Sequence, residues 1–303
     1  MKTSITALLL LLLMACSDSS DNSAPPAPEP PAPPPEPTYE LSAEIKRTEY
    51  GIPHVTAEDW KSLGYGFGYA YSQDNYCVTM KEMVYASGRS AELLGEAQGN
   101  TGSDFLFRYL NGDDAEFEER FVNQLPQFSR DLAEGFARGM NRYREETGDA
   151  NLAEGDYGCR DAQWLFDVTA TNLFKHMRRE ALRGSSDNGT FRNALLSVEG
   201  PAEDGATGSL SEAQLSDLAD SAAAAVSELQ NLDRGSNALA VGSESTQNGG
   251  AVLLGNPHQP WFGSGAWYQA HLTLPGEYDV AGAALHGFPF IGIGFNKDVA
   301  WTH

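Results

Sequence analysis

The residues that could do chemistry gather at one junction. Gly235-Ser236-Asn237 closes a stretch of small and acidic residues and opens the first apolar run of the C-terminal part. A serine in such a place can attack the carbonyl of the residue before it when that peptide bond is strained. Glycine at 235 has no Cβ, so it permits unusual backbone geometry and leaves room for the attack. An N→O acyl shift followed by hydrolysis would leave Ser236 as a new N-terminus. Its α-amine, with an ordinary pKa of roughly 7.7–8.0, could then serve as base for its own hydroxyl. Gly-Ser-Asn is a common tripeptide, and only its position makes it informative. His258, in Asn256-Pro257-His258, reads by residue type alone as a turn histidine, and His176 as a packed or surface one.

These residues need elements to place them. After the junction, six short apolar runs alternate with turn residues, at 238–241, 251–254, 267–274, 280–285, 291–295 and 299–302. Asn248-Gly249-Gly250 between the first two is a hairpin signal. Turns this close together predict an antiparallel meander that packs on a second sheet or on helices. The middle of the chain is largely helical. Leu132, Phe136, Met140 and Tyr143 fall at helical spacing with charged residues between them, predicting an amphipathic helix over about 130–146. A second helix is expected over about 169–182, with Lys175, Arg178 and Arg179 near its end, where the helix dipole favours cations. Gly64-Tyr65-Gly66-Phe67-Gly68-Tyr69 alternates glycine with aromatics, which lets backbones approach while rings fill volume. Residues 199–233 turn small and acidic, with a loop and then a helix former that opens on a Ser211–Gln214 capping box. Such a segment gains little from packing and reads as a linker or removable spacer.

Composition bounds the rest. The chain has 303 residues, enough for one large or two ordinary domains, and carries 42 acidic against 20 basic side chains, a net charge of −22. That field repels phosphate backbones and excludes nucleic acid as a partner. The apolar run 5–15 behind Lys2 is a signal-peptide core, too short to span a bilayer. It ends in Leu13-Met14-Ala15-Cys16, which resembles the bacterial lipobox, with Cys16 carrying the lipid. An ordinary secretory signal is the alternative. By resemblance to lipoprotein sorting rules, Ser17 in place of Asp directs the protein to the outer membrane, on the periplasmic side of the envelope. The proline-rich stretch that follows is an extended tether that cannot pack a core. Cys77 and Cys159, in an oxidising compartment, are expected to pair, two buried thiols being the alternative. The chain stops at His303 directly after an apolar run, so a longer protein is expected, with unpaired edge strands and poor solubility for this piece alone.

Ser236-Asn237-Ala238-Leu239-Ala240-Val241-Gly242 and Leu254-Gly255-Asn256-Pro257-His258 resemble the β-chain start of the penicillin acylase family of N-terminal nucleophile hydrolases. Tyr50-Gly51-Ile52-Pro53-His54-Val55 and the Gly64–Asn75 stretch resemble the start of its α chain. The resemblance covers about 43–303 and is nearest the acyl-homoserine-lactone acylase and aculeacin A acylase group. It implies an α+β, αββα fold, incomplete here: a helical α chain plus the first antiparallel strands of the β chain. It divides the chain into a signal peptide (1–15), tether (16–42), α-chain region (43–199), spacer (200–235) and start of the β chain (236–303). By the same resemblance the precursor cuts itself between Gly235 and Ser236 into an αβ heterodimer. Ser236 is then nucleophile and base, and His258 orients it and supports maturation. The oxyanion-hole donors of the family fall beyond His303. No cofactor or metal is implied for these residues, the calcium of some members being held largely elsewhere.

The substrate this implies is a small linear amide: an acyl-homoserine lactone, a lipopeptide or a penicillin-type side chain. Glutaryl-type cephalosporin acylases place an arginine about where Gly292 stands, so a buried glutaryl carboxylate would lack its cation. Gln259 replaces an apolar residue that usually gates the pocket in the lactone group, which leaves chain-length preference open. Trp261, Trp267, Tyr268 and Phe288 are candidate pocket walls, though each could equally be core. The alternative function is a non-catalytic outer-membrane lipoprotein, a binding module on the same fold.

Overall fold

The computed structural model describes residues 40–95, 97–154, 157–185, 211–214, 216–217, 219–220 and 235–303. The expected signal peptide, Cys16, nearly all of the tether and most of the 200–235 spacer lie outside the described residues. The molecule is α+β. Strands β1 (Glu44–Arg47) and β2 (Pro53–Thr56) lead into helices α1 (Trp60–Ala86), α2 (Ser90–Leu94), α3 (Thr101–Asn111), α4 (Asp114–Phe117), α5 (Gln127–Thr147) and α6 (Ala170–Ser185). After the spacer come β3 (Gly235–Val241), β4 (Val252–His258), β5 (Trp267–Leu274), β6 (Tyr278–Leu285), β7 (Ile293–Phe295) and β8 (Ala300–Trp301).

Helices α1, α3 and α4 start on capping side chains, Asp59, Asn100 and Asp113, and the helices turn apolar faces inward. Asp59 accepts from the Ser62 amide at 2.8 Å to start α1. Helix α5 buries Leu132, Phe136, Met140 and Tyr143, the stripe its sequence shows. Helix α1 has no such stripe, because most of its surface is covered. Its Gly64 and Gly68 face α5 so closely that a Cβ on Gly68 would meet the Phe136 carbonyl, and one on Gly139 of α5 would meet that of Tyr65, while Gly66 faces Ala43 and Val55. Phe67, Tyr71 and Tyr76 of α1 fill the space between the two helices and the sheet. Burial of each such side chain stabilises the fold by about 1.5–3 kcal/mol. The Ser211–Gln214 capping box forms in both directions, at 2.9 and 3.2 Å.

Among the described residues the expected meander is divided between two sheets. One has six strands in the order β1-β2-β5-β6-β7-β8, and β3 with β4 forms a separate two-stranded ribbon. β5 through β8 run as the antiparallel meander, but β2 adds beside β5 in parallel. Along β5 the helix-facing residues Ala270, Leu272 and Leu274 are buried, while Gln269, His271 and Thr273 point to the other face. The ribbon approaches β8 at Gly255, where a side chain would collide with Thr302. Between ribbon and sheet lies a cavity of about 360 Å³, lined in part by Leu253, Gln269, Ala283 and Trp301.

Among the links between distant segments of the described residues, these bear on the site. A disulfide joins Cys77 of α1 to Cys159, 82 residues on. The buried Arg179 guanidinium sits between Glu82 of α1 and Glu180. Across the parallel β2–β5 pair, His54 and His271 meet Nδ1 to Nδ1 at 3.0 Å, and His271 Nε2 meets Asp279 at 2.6 Å. A carboxylate only accepts, so in the neutral pair His271 Nε2–H donates to Asp279 and His54 Nδ1–H donates to His271. This last link crosses from the segment before the Gly235–Ser236 junction to the segment after it.

Candidate active site

The ribbon places the junction residues. In its antiparallel register Gly235 lies opposite His258, Ser236 opposite Pro257 and Asn237 opposite Asn256. Proline has no N–H to donate, so the ladder is weakened opposite Ser236. The Ser236 hydroxyl donates to the carbonyl oxygen of Gly235 at 2.5 Å, which sets Oγ beside the group it would attack. A Cβ built on Gly235 would lie 3.5 Å from His258 Nδ1, so the imidazole stands beside Gly235. His258 Nε2 receives the side-chain amides of Asn237 at 3.1 Å and Asn256 at 3.2 Å. Two N–H donors on Nε2 make it the acceptor nitrogen, so the neutral ring carries its proton on Nδ1, towards Gly235.

One expectation needs correction. Gly235 does not adopt an unusual backbone: it is extended in β3, it is absent from the positive-φ residues, and the described peptide bonds hold no cis form. What marks the bond in the structure is its hydrogen-bonding environment, the Ser236 hydroxyl on the Gly235 carbonyl.

Gly235 and Ser236 open onto a cavity of about 720 Å³. Its walls come from four places, one of them Gly265 in the turn before β5. The ribbon gives Gln259; the turn after β6 gives Phe288 and Phe290, with Leu285; and α6 gives Met177, Arg178, Glu180 and Ala181. The lining is largely apolar. Arg178 donates to Asn111 at 2.9 Å and lies over the Phe121 ring; burial, with Arg120 adding, pulls its pKa below the ordinary guanidinium value.

Of the four aromatic candidates, Phe288 lines this cavity and the other three lie elsewhere. Trp261 is 96% exposed. Tyr268 points from β5 to the helices, donating to Asp74 at 2.6 Å and packing on Tyr71. Trp267 points to the opposite face of the sheet, its ring 5.4 Å from that of His303. A side chain at Gly292 would press on Trp267 at 3.2 Å, so the glycine there fits the neighbouring indole. The α6 wall is what the sequence reading missed. Its signal was a second face of that helix, where Met177 and Ala181 stand four residues apart. Among the described residues no group of three or more His, Cys, Asp or Glu side chains is arranged to hold a metal ion.

A family model for penicillin amidases matches residues 42–303. The chain belongs to that family. Its relatives include an acyl-homoserine lactone acylase PvdQ of Pseudomonas fluorescens, 42% identical over 275 residues, which are 88% of this chain and 33% of the relative. An aculeacin-A acylase of Actinoplanes utahensis is 34% identical over 273 residues, 86% of this chain and 33% of that protein. The penicillin amidase-family chain thus spans about a third of the length of these relatives. A thermostable penicillin G acylase from Alcaligenes faecalis overlaps 52% of this chain and 84% of its own, with a TM-score of 0.41 and 23% identity.

Proposed function

We propose that these residues belong to the precursor of a self-processing acylase that hydrolyses a linear acyl amide. The observation that carries this reading is the Ser236 hydroxyl on the Gly235 carbonyl with His258 across the strand pair. In maturation, Oγ adds to the Gly235 carbonyl carbon as its proton passes to the Ser236 nitrogen, the C–N bond breaks to leave an ester on Oγ, and water hydrolyses that ester to a Gly235 carboxylate and the free Ser236 hydroxyl. His258 Nδ1 lies on the Gly235 side of the ring; a proton donor that reaches the carbonyl on which negative charge builds would lower the barrier. The amine freed on Ser236 then takes the Oγ proton. Oγ attacks the substrate carbonyl, the leaving amine departs with a proton, and water releases the acid from the ester. His258 orients the nucleophile throughout.

The apolar cavity at Ser236 fits an acyl chain, in keeping with the lactone and aculeacin acylases among the relatives. The whole protein is read as an αβ heterodimer of its own cleavage products, held at the outer membrane by lipid on Cys16, on the periplasmic side. Among the described residues no helix is long and apolar enough to cross a membrane. The test is hydrolysis of acyl amides by protein expressed from its complete reading frame. Equal release of acid and amine, lost in Ser236→Ala, is the expected result. Activity retained in that variant refutes the reading.

A further inference from the structure

The two phenylalanines of the cavity wall sit on a turn that is held from behind. The turn follows β6, and its Gly287 has φ +77°, with Phe288 N–H donating to Leu285 at 3.0 Å. His176 of α6, fully buried, donates from Nε2 to the His286 carbonyl at 2.8 Å. A carbonyl only accepts, so Nε2 carries the proton; Nδ1 is buried with no hydrogen-bond partner among the described residues. The same imidazole lies against the Phe288 ring, centroids 5.7 Å apart and 30° between planes. On the other side of the turn, the His286 ring meets the Tyr71 hydroxyl at 2.7 Å, and Tyr71 meets Thr79 at 2.5 Å. Burial holds the Tyr71 phenol well above its ordinary pKa, so that hydroxyl keeps its proton. No slack remains at Gly287, where a Cβ would lie 2.6 Å from Thr79 Cγ2 and 3.0 Å from His176 Cδ2.

We propose that His176 is a positioning residue for the acyl pocket: its Nε2–H on the His286 carbonyl fixes the turn that aims Phe288 and Phe290 into the cavity beside Ser236. The inference rests on reading that cavity as the acyl site. Helix α6 then supplies one wall directly, through Met177 and Ala181, and sets the facing wall through His176. The latch acts on the depth and shape of an apolar slot. It touches neither Ser236 nor His258, so its removal changes which acyl chain fits and leaves self-cleavage alone.

The experiment uses protein from the complete reading frame, with butanoyl and dodecanoyl para-nitroanilides as probes. His176→Leu removes the donor, and His176→Gln restores an N–H at similar reach. In His176→Leu the ratio of kcat/KM for the two chain lengths shifts about tenfold, through KM with kcat little changed, while Gly235–Ser236 is still cut. His176→Gln returns the ratio to within about twofold of the parent. The chain-length ratio is unaffected by a smaller folded fraction, so a purely structural role does not move it. Tyr71→Phe, which keeps the ring and removes the hydroxyl that meets both His286 and Thr79, loosens the same turn from its other side, shifts the ratio in the same direction and serves if His176→Leu fails to fold. A ratio unchanged in folded His176→Leu, or in Tyr71→Phe when the former does not fold, overturns the proposal. So does His176→Gln behaving like His176→Leu. If the parent cuts neither itself nor either anilide, the acylase reading falls first and the proposal with it.

Discussion

Removing the asparagines that hold His258 should slow self-cleavage by a graded amount. Asn237 and Asn256 donate to Nε2 at 3.1 and 3.2 Å, in an exposed setting. A neutral hydrogen bond of this kind contributes about 0.5–1.5 kcal/mol net. Loss of one leaves the other to hold the ring, so the fraction of imidazole aimed at Gly235 drops by about 2- to 10-fold in Asn256→Ala or Asn237→Ala. Loss of both should approach the product of the two. His258→Ala removes the group itself and should slow cutting by about 10²–10⁴-fold, the usual worth of a positioned proton-handling side chain. The assay is a time course of intact mass after a translation pulse, following the uncut chain and its two products. The reasoning is refuted if His258→Ala is cut at the parental rate. It is refuted equally if both asparagine variants match the parent while His258→Ala is slow, because the ring would not then be held through Nε2.

Other consequences concern stability. Gly139→Ala should destabilise by about 1–3 kcal/mol, because its Cβ would drive α5 off the Tyr65 carbonyl of α1; a lowered Tm measures it. Paired Cys77→Ser and Cys159→Ser should cost about 2–5 kcal/mol against the oxidised parent, and the gap should close when the parent is assayed under reducing conditions. Asp149 accepts from Arg144 at 2.7 and 3.0 Å, and this pairing lowers its pKa below the ordinary carboxylate value. A depressed carboxylate contributes stability above its unfolded pKa of about 3.9 and loses it as pH falls through the folded value. Asp149→Asn should therefore cost about 0.5–1 kcal/mol near neutral pH, solvent screening included, and progressively less in acid; urea unfolding at two pH values reads it. A cost that grows in acid contradicts the assignment.

Some of this architecture is visible in the residues themselves. Helix α5 shows because one of its faces is wet, so Leu132, Phe136, Met140 and Tyr143 stand out from their charged neighbours. Helix α1 does not show, because burial on most sides leaves no contrast, and its Gly64 and Gly68 answer to the carbonyls of α5. The antiparallel pairing of β3 with β4 follows from nearby turns, whereas the parallel β2–β5 pair joins residues 217 positions apart at His54 and His271, and no local pattern encodes it. The junction residues are legible by type and order. Their register, Gly235 opposite His258, needed the fold. Aromatic residue type does not say which way a ring points: adjacent Trp267 and Tyr268 face opposite sides of one strand, and of the aromatic candidates Phe288 lines the cavity at Ser236.

The central claim is that Ser236 cuts the bond before it. Intact mass and N-terminal sequencing of protein expressed from its complete reading frame test it most directly, with Ser236→Ala alongside. The account predicts a new chain beginning Ser236-Asn237 in the parent and none in the variant. A folded parent that stays a single uncut chain would contradict it and leave a binding lipoprotein as the better reading.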